Sequence, residues 1–267
     1  MYLLSFLYHE VNDNPSEFHK KFNLSITKKT FFDQLIFIKK NYNIINPKDL
    51  LTDKLEKNSA LITFDDGCKG IFTNAIPILN ELSIPAMIFL NCDAINNDIN
   101  LMGLIFYLLY KDKRILKYFP NSNFRNLNLD KINIFLDKED ENHLLKKAKK
   151  YHGHWASIND LKNLDDNSEI YFGNHLYNHL SVLNISENEL KKQFFKNESF
   201  LKQFNNTLPF FSYPFGQIYL DYNDYSNNII NKLGAKIIFS ANAINFNHTH
   251  KVLNRLPMYE SVNNITN

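Results

Sequence analysis

The sequence predicts an α/β fold built on parallel strands, and three observations support this. Short apolar runs alternate along the chain with segments in which apolar residues fall at spacings of three and four. Polar side chains able to do chemistry follow several of the apolar runs at their C-terminal ends. The chain of 267 residues is long enough for one sizeable domain. The alternation favours parallel strands with crossover helices, arranged as an open doubly wound sheet or as a barrel.

The apolar runs predict the strands, and the segments between them predict the helices. The predicted strands are, in chain order, 3–8, 60–64, 86–91, 169–172, 210–213 and 235–239. The predicted helices are 29–41, 71–81, 158–164, 186–204 and 225–233. In both candidate arrangements ligands bind at the carboxyl ends of the strands, so a functional site is expected there.

A single domain over 1–267 is predicted, with an insertion at about 96–154 that interrupts the alternation. The insertion has helix-like pieces and a basic run at 146–150, but no clear strand. Its apolar stripe at 101–110 either packs over the site as a lid or completes the core as an ordinary helix, and the sequence leaves both open.

Composition argues against nucleic acid as a partner. Thirty basic side chains against 28 acidic ones give a formal charge of +2, and the lysines are scattered among asparagines and acidic residues. The two cysteines, Cys68 and Cys92, do not make a disulfide framework in a chain of this length.

No targeting or membrane segment is expected, which predicts a cytoplasmic protein. The apolar N-terminus has no basic leader and is interrupted at His9 and Glu10, so it is interpreted as the first strand. The apolar run at 101–110 has 10 residues, whereas a membrane-spanning helix needs about 20.

The candidate site begins with two adjacent carboxylates, Asp65 and Asp66, which end the apolar run at 60–64 and precede Gly67. Like charges side by side at the end of a buried strand cost free energy unless something binds them, so the pair indicates a metal ligand beside a general base. Two imidazoles, His175 and His179, lie four residues apart further along the chain. That spacing predicts that both face one side of a helical turn.

One carboxylate and two imidazoles form a ligand set that leaves metal positions free for water and substrate, as in catalytic sites. Zinc fits this set best, and iron, cobalt or nickel also accept these ligand types. A divalent metal held in this way would polarise a carbonyl and lower the pKa of bound water. The second aspartate would then take a proton from that water.

Three motifs resemble a known family. The stretches 63–67 (TFDDG), 175–179 (HLYNH) and 211–216 (FSYPFG) resemble, in order, the first three motifs of polysaccharide deacetylases with the NodB homology domain, carbohydrate esterase family 4. The resemblance covers about 1–95 and 155–258 and leaves the insertion unexplained. It implies a deformed (β/α)7 barrel and the hydrolysis of an N-acetyl, or less often O-acetyl, group on a sugar.

By this resemblance each site residue has a role. Asp65 would be the general base, and Asp66, His175 and His179 would hold the metal. The backbone N–H of Phe215 would donate a hydrogen bond to the oxyanion, a contribution of ~3 kcal/mol for a preorganised donor.

Two departures from the family pattern concern the acid–base residues. Many members carry an arginine in the third motif where this chain has Ser212, and Arg255 resembles the substitute that would pair with Asp65; a surface arginine is the alternative. The family usually supplies a histidine near the C-terminus as general acid, and none follows Arg255. His9 is the preferred replacement, while His248 and His250 are assigned to a solvated loop.

The sequence therefore predicts a metal-dependent sugar deacetylase acting on a substrate inside the cell. That substrate would be a nucleotide-linked or lipid-linked sugar, or a nascent surface glycan. Two other hypotheses stay open: a non-catalytic glycan-binding barrel that lost its proton donor, and a hydrolase of a non-sugar amide.

Overall fold

The computed structural model describes residues 3–52, 55–97, 101–127, 129–164, 168–242 and 252–260. The strands within these ranges are β1 (Leu3–Tyr8), β2 (Glu10–Val11), β3 (Ser25–Ile26), β4 (Asn43–Ile44), β5 (Ser59–Phe64), β6 (Ala86–Leu90), β7 (Ile170–Asn174), β8 (Thr207–Ser212), β9 (Ile237–Ser240) and β10 (Val252–Pro257).

The α-helices are α1 (Glu17–Phe22), α2 (Lys28–Asn41), α3 (Ile76–Leu82), α4 (Cys92–Asn97), α5 (Leu101–Tyr107), α6 (Ile115–Tyr118), α7 (Leu129–Leu136), α8 (Glu141–His152), α9 (Ile158–Lys162), α10 (Glu187–Leu201) and α11 (Asp224–Lys232). Two π-helical segments, Ile71–Ala75 and Leu108–Asp112, adjoin α3 and α5. Two 3₁₀ turns cover Pro47–Leu51 and Val182–Asn184.

Seven parallel strands close into a barrel. Their order is β1-β10-β9-β8-β7-β6-β5, and β5 pairs again with β1 over its whole length, from Leu3 opposite Ser59 to Tyr8 opposite Phe64. The short strand β4 pairs with the first two residues of β5, Ser59 and Ala60. Closure leaves these seven strands without a free edge, which decides between the two predicted arrangements in favour of the (β/α)7 barrel.

The strands are buried on both faces, as expected for a parallel barrel covered by helices. One cluster, with Leu61, Phe89 and Phe239 among its members, joins side chains from several strands and fills the barrel interior. Alternate residues of the same strands, such as Ile62 and Ile88, pack outward against the helices. Because all seven strands run parallel, the polar groups that follow them lie at one rim of the barrel.

Sequence analysis predicted six of the seven barrel strands and missed β10, which closes the barrel between β9 and β1. It also missed the two-residue strands β2, β3 and β4. Asn254 and Arg255 interrupt the apolar pattern of β10, although Arg255 is fully buried. Strand β8 begins three residues earlier than predicted, at Thr207. Its pairing with β7 shifts register between Phe172 and Asn174, and such irregularities accommodate a proline like Pro209.

The insertion is helical in its described part, as predicted, and forms its own core. Apolar side chains of α5, α7 and α8 pack together and against α1 and Trp155. One of them, Phe106, also lines a cavity at the barrel rim. The sequence left two alternatives open for the apolar stripe at 101–110. The segment does both: it completes a core, and Phe106 extends over the barrel rim. Among the described residues, no helix combines the length and apolar character needed to cross a bilayer.

Candidate metal centre and active site

The candidate site lies at the carboxyl ends of the parallel strands. Asp65 and Asp66 follow β5, His175 follows β7, and Phe215 follows β8 by three residues. His9 lies between β1 and the short strand β2, at the same rim. The barrel thus brings together residues that are far apart in sequence, as the parallel arrangement predicts.

Asp66, His175 and His179 form a set of three ligand atoms that lie within 4.8 Å of one another. The Oδ1 atom of Asp66 is 3.2 Å from Nε2 of His179 and 3.6 Å from Nε2 of His175. This buried oxygen has no hydrogen-bond partner among the described residues. An orphaned carboxylate oxygen facing two imidazole nitrogens fits a divalent metal, which would satisfy all three at once.

The two histidines are brought together by a loop, so the prediction of a helical turn was wrong. Leu176 and His179 have φ values of 58° and 55°, in the left-handed region, and these turn the chain back on itself. The Asn91 amide fixes the loop by donating to the backbone oxygens of His175 (2.6 Å) and Leu176 (3.0 Å). Tertiary hydrogen bonds therefore replace the helical turn that the four-residue spacing suggested.

Both histidines are held as neutral ligands. Nδ1 of His175 lies 2.8 Å from the backbone oxygen of Ser212, so it donates its proton there and leaves the Nε2 lone pair facing Asp66. Burial lowers the pKa of His175 to about 4 and that of His179 to about 4. At neutral pH both rings are thus in the form that binds a metal.

Arg255 and Asp65 form a buried, bidentate ion pair. Nη1 and Nη2 of Arg255 each donate to one oxygen of Asp65 at 2.6 Å. Arg255 is fully buried, so the alternative of a surface arginine is excluded. Its guanidinium also donates to the Ser240 backbone oxygen (3.0 Å) and to the Ser212 hydroxyl (2.6 Å). The arginine therefore contacts the third motif at Ser212.

The two adjacent aspartates have opposite electrostatic environments. Burial opposes ionisation of Asp65, but the charge and hydrogen bonds of Arg255 outweigh it and lower the pKa of Asp65 to about 2. Burial raises the pKa of Asp66, and the neighbouring charge of Asp65 adds to this effect. Asp65 is therefore a fixed anion, while Asp66 is a carboxylate that lacks a cationic partner.

Phe215 presents a backbone N–H in a strained turn beside the metal ligands. Its φ of 61° lies in the left-handed region, and Gly216 follows with a φ of 67°. Among the described residues, no acceptor lies within hydrogen-bond distance of this N–H. The Phe215 ring packs edge-on against His179, with 4.7 Å between ring centroids. Such a strained and unpaired donor suits a site where an oxyanion forms.

A cavity of about 360 Å³ opens over these groups. His9, Asp65, Asp66, His175, His179 and Phe215 all line it. The insertion contributes Phe106, Phe124 and Arg125 to its wall. The structure thus places His9 at the same cavity as the metal ligands, whereas His248 and His250 lie outside the described residues.

Sequence reasoning missed the ion pair that fixes the insertion on the barrel. Arg125 donates to both carboxylate oxygens of Asp221 at 2.8 and 3.2 Å, and Asp221 is fully buried. Asp221 also accepts from the Ser181 hydroxyl (3.0 Å) and the Gln217 N–H (3.1 Å). A lone arginine and a lone aspartate 96 residues apart carry no pattern that would reveal this pairing.

The closed seven-stranded parallel barrel, with an Asp–His–His set at its carboxyl rim, defines a NodB-type (β/α)7 fold. The sequence profile of the family described as polysaccharide deacetylase matches residues 52–238. The chain therefore belongs to the polysaccharide deacetylase family, as the three motifs indicated, and the family implies an acetylated glycan as substrate. No curated protein sequence matches this chain.

Solved structures with the same fold include several deacetylases. Streptococcus pyogenes deacetylase PplD, solved in complex with acetate, superposes with a TM-score of 0.60 at 19% identity, over 97% of this chain and 93% of that one. IcaB from Ammonifex degensii gives 0.64 at 16% identity, over 96% and 91%. A de-N-acetylase from Aggregatibacter actinomycetemcomitans gives 0.62 at 15% identity, over 95% and 94%. At these identities the likeness shows the fold.

Replacing His175 with alanine is expected to weaken Zn²⁺ binding by more than about 100-fold, because a direct ligand matters more than the outer-shell partners whose loss costs ~10–100-fold. Competition with a chromophoric chelator at pH 7 measures the affinity. His143→Ala, which removes an exposed histidine of α8, is the matched control and should bind zinc like the parent protein. Equal affinity in all three proteins would remove His175 from the ligand set.

Replacing Arg255 with methionine is expected to lower the free energy of unfolding by about 3–5 kcal/mol at pH 7, because it leaves the buried Asp65 carboxylate unpaired. In the parent protein the pKa of Asp65 is depressed, so the pair's contribution is present above the unfolded pKa near 4 and is lost as pH falls through about 2. In the variant, protonation of Asp65 relieves the unpaired charge. The deficit should therefore shrink as pH is lowered from 7 towards 4.

Urea unfolding at several pH values measures this difference. Arg114→Met is the control, because the Arg114 side chain is 40% exposed and forms ion pairs with Asp112 and Glu139. Its loss should cost at most about 1 kcal/mol. A deficit for Arg255→Met as small as that of the control would contradict the buried pair.

Proposed function

We propose that this protein is a metal-dependent deacetylase that removes an N-acetyl group from a sugar. The observation that carries the proposal is a pair of adjacent carboxylates in opposite roles: Asp66 faces His175 and His179, and Asp65 is held by Arg255. One cavity gives a substrate access to both carboxylates and to His9. The proposed metal ligands, general base and general acid would therefore surround one acetyl group of the substrate.

Asp66, His175 and His179 would hold the metal, for which zinc is the best fit to two imidazoles and one carboxylate. A bound divalent ion would polarise the acetyl carbonyl and lower the pKa of a bound water. The neutral state of both histidines at pH 7 favours binding, because no proton must first be displaced from the rings.

Asp65 is assigned as the general base. The water that adds to the acetyl carbon loses a proton, and an ionised carboxylate lining the cavity can accept it. Arg255 acts as a positioning residue: its two hydrogen bonds fix the carboxylate plane and keep Asp65 ionised throughout the neutral range.

His9 is assigned as the general acid, and Phe215 as the oxyanion donor. When the bond from carbon to nitrogen breaks, the departing nitrogen needs a proton, which a protonated imidazole at the cavity wall can give. The unpaired Phe215 N–H would donate to the carbonyl oxygen as negative charge develops there. The products are acetate and a free amine.

An N-acetyl group is favoured over an O-acetyl group for two reasons. A departing amine needs a proton, so the presence of His9 in the cavity suits an amide substrate. One structural relative is itself a de-N-acetylase, and another was solved with acetate. The cytoplasmic location and a carrier-linked substrate stay sequence-based expectations.

Replacing Asp65 with asparagine is expected to spare Zn²⁺ affinity and to lower the rate of acetate release by about 100-fold or more, because the base is lost while the ligands stay. Acetate release from a panel of N-acetylated sugars, followed with an enzyme-coupled assay, measures the effect. Asp66→Asn is the paired variant and should lose zinc as well. Substantial acetate release by the Asp65 variant would refute the assigned base, and release from no sugar would favour the glycan-binding or non-sugar amide hypotheses.

Replacing His9 with alanine is expected to lower deacetylation of an N-acetylated sugar by about 100-fold or more, since a poor leaving group then departs without a proton. The same variant should hydrolyse p-nitrophenyl acetate at nearly the parent rate, because its phenolate leaves unprotonated. Comparing the two substrates at equal zinc loading makes the test specific. Equal losses on both would assign His9 a structural or binding role in place of acid catalysis.

A further inference from the structure

Asp221 is a fully buried carboxylate, and each of its two oxygens accepts two hydrogen bonds. The Oδ1 atom accepts from Nε of Arg125 at 2.8 Å and from the Ser181 hydroxyl at 3.0 Å. The Oδ2 atom accepts from Nη2 of Arg125 at 3.2 Å and from the Gln217 N–H at 3.1 Å. A buried charge is tolerated when it is paired in this way, so the surroundings are built to hold a carboxylate.

The donors to this carboxylate come from three separate segments, and each segment leads to the candidate site. Arg125 belongs to the insertion and lines the active-site cavity. Ser181 comes two residues after His179, and Gln217 comes two residues after Phe215. One buried carboxylate therefore joins the insertion to the loop of a proposed metal ligand and to the turn of the proposed oxyanion donor.

The insertion also contacts the Phe215 ring directly. Phe124 packs on that ring with 4.8 Å between the ring centroids, and the guanidinium carbon of Arg125 lies 5.9 Å from its centre. The same guanidinium carbon lies 4.5 Å from the centre of the Phe124 ring. The packing on Phe215 therefore depends on the orientation of Arg125, which Asp221 fixes.

Phe215 depends on such contacts because its backbone conformation is strained. Its φ of 61° is rare for a residue with a bulky side chain, and such a conformation persists only where the surrounding structure holds it. The ring is held by Phe124, and the Gln217 N–H is held by Asp221. The Asp221 N–H also donates to the Gln217 backbone oxygen at 2.8 Å, which closes the turn. Without these contacts the turn can relax, and the direction of the Phe215 N–H is no longer fixed.

We propose that Asp221 and Arg125 are positioning residues for the deacetylation, because together they hold the Phe215 N–H where the oxyanion forms. This inference rests on the proposed function, in which Phe215 is the oxyanion donor. Asp221 is fully buried and cannot touch a substrate, so its effect on the reaction passes through the groups that it holds. The insertion then takes part in catalysis, in addition to covering the rim.

Asp221→Asn is the variant that tests this role, because it keeps the size of the side chain and disturbs its hydrogen bonds. Each carboxylate oxygen faces two donors, so the amide NH₂ of asparagine meets donors in either orientation. We expect kcat at zinc saturation to fall about 10- to 100-fold, since the oxyanion donor is displaced and complete loss of such a donor costs ~100–1,000-fold. KM should change by less than about 3-fold, because the variant removes no contact with the substrate.

Two substrates and a second variant separate positioning from other roles. The loss should be equal on an N-acetylated sugar and on p-nitrophenyl acetate, because an oxyanion forms on both, whereas His9→Ala should spare the aryl ester. Arg125→Met should lower kcat similarly, and combining it with Asp221→Asn should add little, because the two residues act as a unit. Asp112→Asn is the matched control: Asp112 is 8% exposed and has a bidentate pair with Arg114 inside the insertion. It should keep the parent kcat.

Hydrogen exchange of the amides at 216–220, followed by mass spectrometry on the zinc-loaded protein, reports on the turn without any catalysis. Exchange should be at least about 10-fold faster in Asp221→Asn than in the parent protein, and unchanged in Asp112→Asn. If the parent protein releases acetate and Asp221→Asn keeps kcat within about 2-fold, the positioning role is wrong and the proposed function stands. A loss confined to KM would also overturn it.

If the parent protein releases acetate from neither substrate, the deacetylase assignment fails and hydrogen exchange decides the remaining question. Unchanged exchange in Asp221→Asn would then overturn the positioning role as well. Faster exchange in this variant, but not in Asp112→Asn, would retain the pair of Asp221 and Arg125 as the contact that positions the Phe215 turn.

Discussion

The buried ion pair between Arg255 and Asp65 is the interaction on which the rest of the site depends. Arg255 comes from the last strand of the barrel and Asp65 from the end of β5, and the arginine also bonds the ends of β8 and β9 through Ser212 and Ser240. Removing both charges from water costs several kcal/mol per ion, so this pair is weak evidence for stability alone. The pair instead fixes geometry, because its two parallel hydrogen bonds hold the Asp65 carboxylate in one orientation.

Ser212 connects this pair to the metal ligands. Its hydroxyl accepts from Arg255, while its backbone oxygen accepts from Nδ1 of His175. One residue at the end of β8 therefore contacts the partner of Asp65 on one side and sets the tautomer of His175 on the other. The small Ser212 side chain lies within hydrogen-bond distance of Arg255, which also pairs with Asp65.

Sequence patterns predicted parallel strands with crossover helices, and the family resemblance added the barrel and the candidate metal ligands. Neither predicted how the chain closes the barrel. The strands were found because buried parallel strands are continuous apolar runs, and β10 was missed because Asn254 and Arg255 break that run. The turn between His175 and His179 was misjudged because left-handed residues at 176 and 179 have no signature in their side chains. The ion pair between Arg125 of the insertion and Asp221 joins residues far apart in the chain, and so do the hydrogen bonds of Arg255. No local sequence pattern predicts such contacts.

The opposite environments of the two aspartates suit two different roles in the proposed reaction. The charge and hydrogen bonds of Arg255 lower the pKa of Asp65, which keeps this carboxylate ionised and makes it a weaker base than a free aspartate. In the proposed reaction it would take a proton from a water acidified by a metal. The Oδ1 atom of Asp66 is buried without a hydrogen-bond partner among the described residues, and a metal held there would satisfy it. In the proposed function Asp65 would accept the proton, while Asp66, His175 and His179 would hold the metal that acidifies the water, so the two halves would act together.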